Sequence, residues 1–108
     1  MTQETTGNTL LVVGADKVDG VREGLARAPH LAGLTRIEHW SGRRPGDSRR
    51  VMPAVTGLVL VICTQVSHEL LHHVNREVQK RRVPVLYCRH SLGDIRRKFA
   101  ALAPGGRA

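Results

Sequence analysis

Side chains that can ligate a metal or transfer a proton follow the most apolar segment of the chain. That segment runs from Val59 to Ile62, and it is followed at once by Cys63 and shortly afterwards by Ser67 and His68. A β-branched apolar run that ends in small and polar residues, just before a helical pattern, is typical of a buried parallel strand leading into a helix. Ligands of such sheets bind beyond the carboxyl ends of the strands. The sequence therefore predicts a binding site at this edge, with Cys63, Ser67 and His68 among its residues.

Three further predicted strands bring polar side chains to the same edge. The full set comprises Gly14, Asp16, His39, Trp40, Cys63, Thr64, Ser67, His68, Cys88, Arg89, His90 and Ser91. Imidazole and thiolate groups ligate metals and haem iron, whereas arginine binds carboxylate and phosphate groups in bidentate fashion. The set is therefore compatible with a cofactor, a metal ion or a small anion.

A second pattern lies at the start of the helix that follows the central strand. The segment from His68 to His72 matches H-E-x-x-H, with Glu69 at its second position. In zinc proteases this motif lies in the middle of a helix and a third ligand follows, which is not the context here. A plain metal site remains an alternative, with His68, His72 and His39 as candidate ligands. His72 and His73 are predicted to point away from the apolar face of the helix.

Other familiar motifs are missing from the sequence. The chain has no G-x-G-x-x-G after Gly14, no Walker motif and no G-x-S-x-G elbow, which argues against a classical nucleotide fold. Cys63 and Cys88 do not form a C-x-x-C pair, and we interpret them as structural thiols on adjacent strands. The loop that contains Arg43 and Arg44 is predicted near the ligand edge, where it could hold phosphates or propionates.

Composition limits the class of protein. The 108 residues carry 17 basic and 9 acidic side chains, a formal charge of +8 that favours anionic partners. Only three residues are aromatic, so the stacking platforms of nucleic-acid-binding proteins are not expected. The sequence shows neither a signal peptide nor an apolar run long enough to span a membrane, and we expect a cytoplasmic protein.

The hydrophobic pattern predicts alternating strands and helices. Strands are predicted over residues 10–13, 35–39, 58–62 and 84–87, and helices over residues 17–28, 48–55, 67–81 and 92–102. Ser67 and Ser91 are predicted helix N-caps, and Ser91 with Asp94 has the spacing of a capping box.

Such alternation predicts an α/β fold. We expect a small Rossmann-like or flavodoxin-like three-layer sandwich, with a four-stranded parallel sheet in the order 2-1-3-4 and a switch point between strands one and three. Residues 1–8 are predicted to form a flexible arm, residues 9–103 a single domain and residues 104–108 a tail.

Several segments resemble a known bacterial family. Residues 11–14 are similar to its first strand, and residues 38–42 resemble its H-H-D-G-G turn. Residues 61–68 resemble its strand-to-helix Ser-His signature, and residues 80–85 resemble its proline-marked entry to the last strand. The family is the bacterial domain of unknown function 2325, and the resemblance covers about residues 10–102.

The resemblance implies a Rossmann-like fold and, as cofactor, haem able to bind dioxygen. His68 or His39 is then the expected axial ligand, with Arg89, Arg43 and Arg44 near the propionates or a distal ligand. A domain this small would enclose the macrocycle only as a homodimer or higher homo-oligomer.

Three hypotheses therefore follow from the sequence. The first is a non-catalytic haem protein that carries or senses a gas. The second is a regulatory module that binds a small anion, a nucleotide or a protein partner at the same edge. The third is a small metal-dependent hydrolase that uses His68, Glu69 and His72.

Overall fold

A four-stranded, all-parallel sheet forms the centre of the protein in a computed structural model. The structure describes residues 7–15, 17–42, 46, 50–63, 66–89 and 91–102. The strands are β1 (Thr9–Val13), β2 (Arg36–Trp40), β3 (Thr56–Ile62) and β4 (Val85–Cys88). Their order is β2-β1-β3-β4, which confirms the predicted α/β class and strand order.

Three helices cover the two faces of this sheet. They are α1 (Asp19–Ala26), α2 (His68–Arg81) and α3 (Leu92–Ala100), and a short 3₁₀ helix spans Pro29–Leu31. None of the helices among the described residues is long and apolar enough to cross a membrane.

Strand register assigns each side chain to one face of the sheet. Val12 lies beside His39 on β2 and Leu60 on β3, and Leu60 lies beside Leu86 on β4. Because side chains alternate along a strand, these residues share one face. Val12 and Leu60 pack in a core cluster with Ile95 of α3, so we call this the α1/α3 face.

The opposite face, which we call the α2 face, has its own core. Leu70, Val74 and Val78 of α2 are buried there in one cluster with Trp40 and Val61. Every residue of β3 is buried, because helices pack on both of its faces. This explains why β3 is the most apolar run of the sequence.

Helices α1 and α3 pack closely on their shared face. A Cβ at Gly24 of α1 would lie only 3.2 Å from Ile95 Cγ2, so the glycine allows the close approach of the two helices. Arg96 of α3 also donates a 2.9 Å hydrogen bond to Glu23 of α1.

Serine residues begin two of the helices, as predicted. Ser67 Oγ accepts a hydrogen bond from the Leu70 amide at 3.2 Å, and Ser91 Oγ accepts one from the Asp94 amide at 3.1 Å. The second half of the predicted capping box is not formed, because the Asp94 carboxylate accepts from the amide of Arg89 instead.

The helix predicted over residues 48–55 is wrong for the residues that the structure describes. Residues 50–53 have no regular secondary structure, and the Thr56 amide donates to the Pro53 carbonyl in a turn. The ring of Pro53 disfavours helical geometry at Met52 and removes one helical hydrogen-bond donor.

Candidate functional site

A cleft of about 530 Å³ opens at the carboxyl ends of β3 and β4. We call it the carboxyl-edge cleft, and the described residues that line it are Cys63, Tyr87, Cys88, Arg89, Ser91, Asp94, Arg97 and Lys98. It therefore combines the predicted ends of two strands with the first two turns of α3.

Three cationic side chains line this cleft. Arg97 donates a 2.6 Å hydrogen bond to Asp94 Oδ1, and Lys98 Nζ donates a 2.9 Å hydrogen bond to the Tyr87 carbonyl. Within the described part of the chain, the Arg89 guanidinium makes no hydrogen bond or ion pair. Arg89 is therefore the cation whose donors are most open to a ligand.

Asp94 organises the turn between β4 and α3. Its Oδ2 accepts a 2.7 Å hydrogen bond from the Arg89 amide. That bond, followed by the hydrogen bond from Arg97, lowers the pKa of Asp94 below its usual 3.8. The carboxylate is therefore ionised at neutral pH, and both of its oxygens already have partners.

Two thiols lie on one wall of the cleft, and both are free. Cys63 is exposed, whereas Cys88 is only 4% exposed. Burial, followed by the charges of Asp94 and Cys63, raises the pKa of Cys88 from 9.0 to about 12. Cys88 is thus a thiol at neutral pH. The prediction that both cysteines are structural does not suit Cys63, because its side chain is exposed.

His39 and His68 lie on opposite sides of the sheet. His39 is on the α1/α3 face, and its Nε2 donates to the carbonyls of Gly14 at 3.1 Å and Ala15 at 2.9 Å. His68 is exposed at the first position of α2. Neither is among the described residues that line the carboxyl-edge cleft.

The bonds of His39 have a structural purpose. Gly14 and Ala15 both have positive φ angles, of 96° and 68°, so the chain turns sharply after β1. For Ala15 this left-handed conformation is unfavourable. The imidazole stabilises this turn by donating to both carbonyls, which also fixes the proton on Nε2.

The three histidines of α2 have different surroundings. His68 and His72 are exposed and lie one turn apart, as predicted. The prediction for His73 is wrong: it stacks on Trp40 with ring centroids 6.1 Å apart, and its Nε2 donates to the Arg50 carbonyl at 2.7 Å. The residue lies at the edge of the apolar stripe, where a ring can pack sideways against a neighbour.

A metal site on these histidines stays a prediction. His39 is separated from His68 and His72 by the sheet. Among the described residues, no group of three or more histidine, cysteine, aspartate or glutamate side chains is arranged to hold a metal ion.

The remaining predicted site residues are placed as follows. Ser67 is exposed, and its hydroxyl caps α2. Arg43, Arg44, Asp16, Thr64 and His90 lie outside the described residues.

At the predicted switch point between β1 and β3, the described residues line a small cavity. It measures about 70 Å³ and lies between Ala15, Ile62, Ser91 and neighbouring residues of α1 and α3. The larger cleft is one strand away, between β3 and β4, and Ser91 borders both.

Sequence reasoning missed four residues of the cleft: Tyr87, Asp94, Arg97 and Lys98. Arg97 and Lys98 are basic residues in the last turn of α3, where cations commonly complement the helix dipole. The available signal was their helical spacing from Ser91, which places them on the turns next to the strand ends.

No protein-family model, curated protein sequence or solved structure gives a significant match to this chain. The resemblance to the bacterial domain of unknown function 2325 therefore stays a prediction, and the cleft itself is the basis for functional inference.

Proposed function

We propose that the protein is a binding module that takes a small phosphate- or carboxylate-bearing anion in the carboxyl-edge cleft. The observation that carries this proposal is the collection of Arg89, Arg97 and Lys98 around one cleft. Among the described lining residues, these three cations face a single carboxylate, that of Asp94.

Hydrogen bonding leaves this positive charge available to a ligand. Both oxygens of Asp94 already accept hydrogen bonds, one from backbone and one from Arg97. Lys98 uses one of its three donors on the Tyr87 carbonyl. Arg89 keeps its planar fork of donors, which matches the geometry of phosphate and carboxylate groups.

Size and long-range charge favour the same class of ligand. A volume of about 530 Å³ is within the range of small-molecule pockets, which is roughly 300–1,000 Å³. The formal charge of +8 attracts anions from solution and raises their association rate.

Titration calorimetry with inorganic pyrophosphate tests the proposal. A charge-assisted hydrogen bond contributes about 1.5–3 kcal/mol, so Arg89→Gln should weaken binding by roughly 10- to 100-fold. Arg36→Gln is the matched control, because it removes the same charge from an exposed site at the start of β2, an edge strand. Equal losses in the two variants would mean that pyrophosphate responds to net charge rather than to the cleft.

Haem is a second candidate ligand, and the composition of the cleft favours it. Cys63 offers a thiol as axial ligand, and the three cations could hold propionates. His68 is exposed and could ligate iron only outside the described lining of the cleft, whereas His39 has its Nε2 engaged. Bound haem would supply an iron centre for a gas such as dioxygen, as carrier or sensor.

Absorbance spectra after addition of haemin test this candidate. Specific binding should give a sharp Soret band at one haem per monomer or per dimer. Three single variants, Cys63→Ser, His68→Ala and His39→Ala, each remove one candidate axial ligand. The band should disappear in the variant that removes the true ligand. A spectrum of free haemin with the unaltered protein, or a band that survives all three changes, would eliminate haem ligation by these residues.

A further inference from the structure

Two free thiols end neighbouring parallel strands in the carboxyl-edge cleft. Cys88 is the last residue of β4 and lies in register with Ile62, the last residue of β3. Cys63 is the next residue after Ile62, and both cysteines line the same cleft. No disulfide joins them.

Their backbone positions suit a disulfide bond. Neighbouring strands lie about 4.8 Å apart and each residue rises about 3.3 Å, so the Cα atoms of residues offset by one position are about 6 Å apart. Disulfides span Cα separations of about 4.4–6.8 Å. Cys63 lies beyond the last residue of β3, in a helical turn, so the alternation of side chains along a strand does not direct it away from Cys88. Closing the bond requires this turn to adjust, and not the pairing of β3 with β4.

The two thiols differ in access to solvent. Cys63 is exposed and can meet an oxidant, while Cys88 is buried behind it. The Cys63 thiol donates only a weak 3.9 Å contact to the Val61 carbonyl, so it is free to rotate. The raised pKa of Cys88 keeps that sulfur protonated and makes Cys63 the site of first attack.

We infer that Cys63 and Cys88 form a reversible intramolecular disulfide when the protein meets a hydroperoxide. In the first step the Cys63 sulfur attacks the peroxide, the O–O bond breaks, and a sulfenic acid and one water are formed. In the second step the Cys88 sulfur attacks the sulfenic sulfur, the S–O bond breaks, and a second water leaves with the proton of Cys88. Two thiols are oxidised by two electrons, and one hydrogen peroxide is reduced to two waters.

This inference goes beyond the proposed function and does not depend on it. A disulfide would tie the wall of the cleft at Cys63 to β4, next to Arg89. The bond itself is measured without any ligand, so its failure would leave the anion proposal intact, and the reverse is also true.

The experiment treats the reduced full chain with one equivalent of hydrogen peroxide and follows it by thiol titration and peptide mapping. Both free thiols should be lost, the intact mass should fall by two hydrogens, and dithiothreitol should reverse the change. Trypsin releases the two cysteines in separate peptides, residues 51–76 and 83–89, so the bond gives a single cross-linked species.

Two variants separate the steps. Cys88→Ala should stop at a Cys63 sulfenic acid that dimedone traps, and Cys63→Ser should retain its remaining thiol under the same treatment. Circular dichroism checks that Cys88→Ala is folded, and the unaltered protein alone decides the outcome if it is not. Dimers linked through Cys63, or over-oxidation of Cys63 with Cys88 still free, would overturn the inference.

Discussion

Asp94 holds together the backbone turn at the mouth of the carboxyl-edge cleft. It accepts from the Arg89 amide at 2.7 Å and from the Arg97 side chain at 2.6 Å. One carboxylate thereby positions two of the three cations that line the cleft. Both oxygens of the Asp94 carboxylate are engaged in these contacts, so the cleft keeps an excess of positive charge.

Asp94→Asn should make the protein less stable at neutral pH. The hydrogen bond from the Arg89 amide, followed by the one from Arg97, lowers the pKa of Asp94 below 3.8. A carboxyl with a lowered folded-state pKa contributes stability above its unfolded pKa, and that stability is lost as the pH falls through the folded value. The urea midpoint of the variant should therefore be lower at pH 7, and the difference should shrink below about pH 3.8.

Asp19→Asn is the control for this experiment. It removes a carboxylate from the first turn of α1, where the side chain makes no hydrogen bond or ion pair with the described residues. Its effect should be smaller than that of Asp94→Asn at pH 7. An Asp94→Asn effect that is the same at pH 7 and pH 3 would contradict an ionic role for Asp94.

The individual site residues were only partly predictable from sequence. Cys63, Cys88, Arg89 and Ser91 were expected at the carboxyl edge because each follows a clear apolar strand, and all four line the cleft. His39 and His68 were expected to share that site. The sheet separates them, because His68 begins α2, which packs on the α2 face, whereas His39 lies on the α1/α3 face.

The cluster around Trp40 was also outside what the sequence could indicate. Arg50 lies 5.3 Å from the Trp40 ring centroid and donates to Glu38 at 2.9 Å, while His73 stacks on the same ring. These contacts join β2, a segment without regular structure and α2. They depend on tertiary packing, which single-residue patterns do not report.

Helix α2 is delimited by a specific residue at each of its ends. Ser67 Oγ accepts from the Leu70 amide, and Arg82 ends the helix in a left-handed conformation with φ of 58°. The N-cap could be predicted, because a serine precedes an apolar helical pattern. The left-handed conformation of Arg82 could not, because arginine rarely adopts positive φ.

Ser67→Ala should destabilise the protein by about 1 kcal/mol, the usual cost of losing an N-cap. Urea unfolding can be followed through the fluorescence of Trp40, which is the chain's only tryptophan and is fully buried. Ser67→Asp should restore most of the stability, since aspartate also caps and complements the helix dipole. A variant Ser67→Ala as stable as the unaltered protein would show that the cap is dispensable.

At the scale of the whole molecule, the alternation of strands and helices determined the fold. The parallel sheet and its order followed from four apolar runs with intervening helical patterns, and from the preference for right-handed crossovers. The position of the carboxyl-edge cleft did not follow. It depends on how the start of α3 stands away from the ends of β3 and β4, which is a matter of side-chain packing.

The net charge of +8 is a property of the whole chain. It attracts anions to every arginine-rich part of the surface, and this attraction weakens with salt over a Debye length of about 8 Å at physiological ionic strength. A true site in the carboxyl-edge cleft differs from this background by its position. A binding measurement must therefore report where an anion binds.

The most direct measurement is a titration of ¹⁵N-labelled protein with inorganic pyrophosphate, followed by amide chemical shifts at 0.15 M salt, where the Debye length is about 8 Å. Binding in the carboxyl-edge cleft should give saturable shifts at the amides of Cys63, Arg89, Ser91 and Arg97, with little change at Arg36 on the opposite edge strand. Shifts that spread over all arginine-rich segments without saturation, or a saturable set away from β3, β4 and α3, would contradict it.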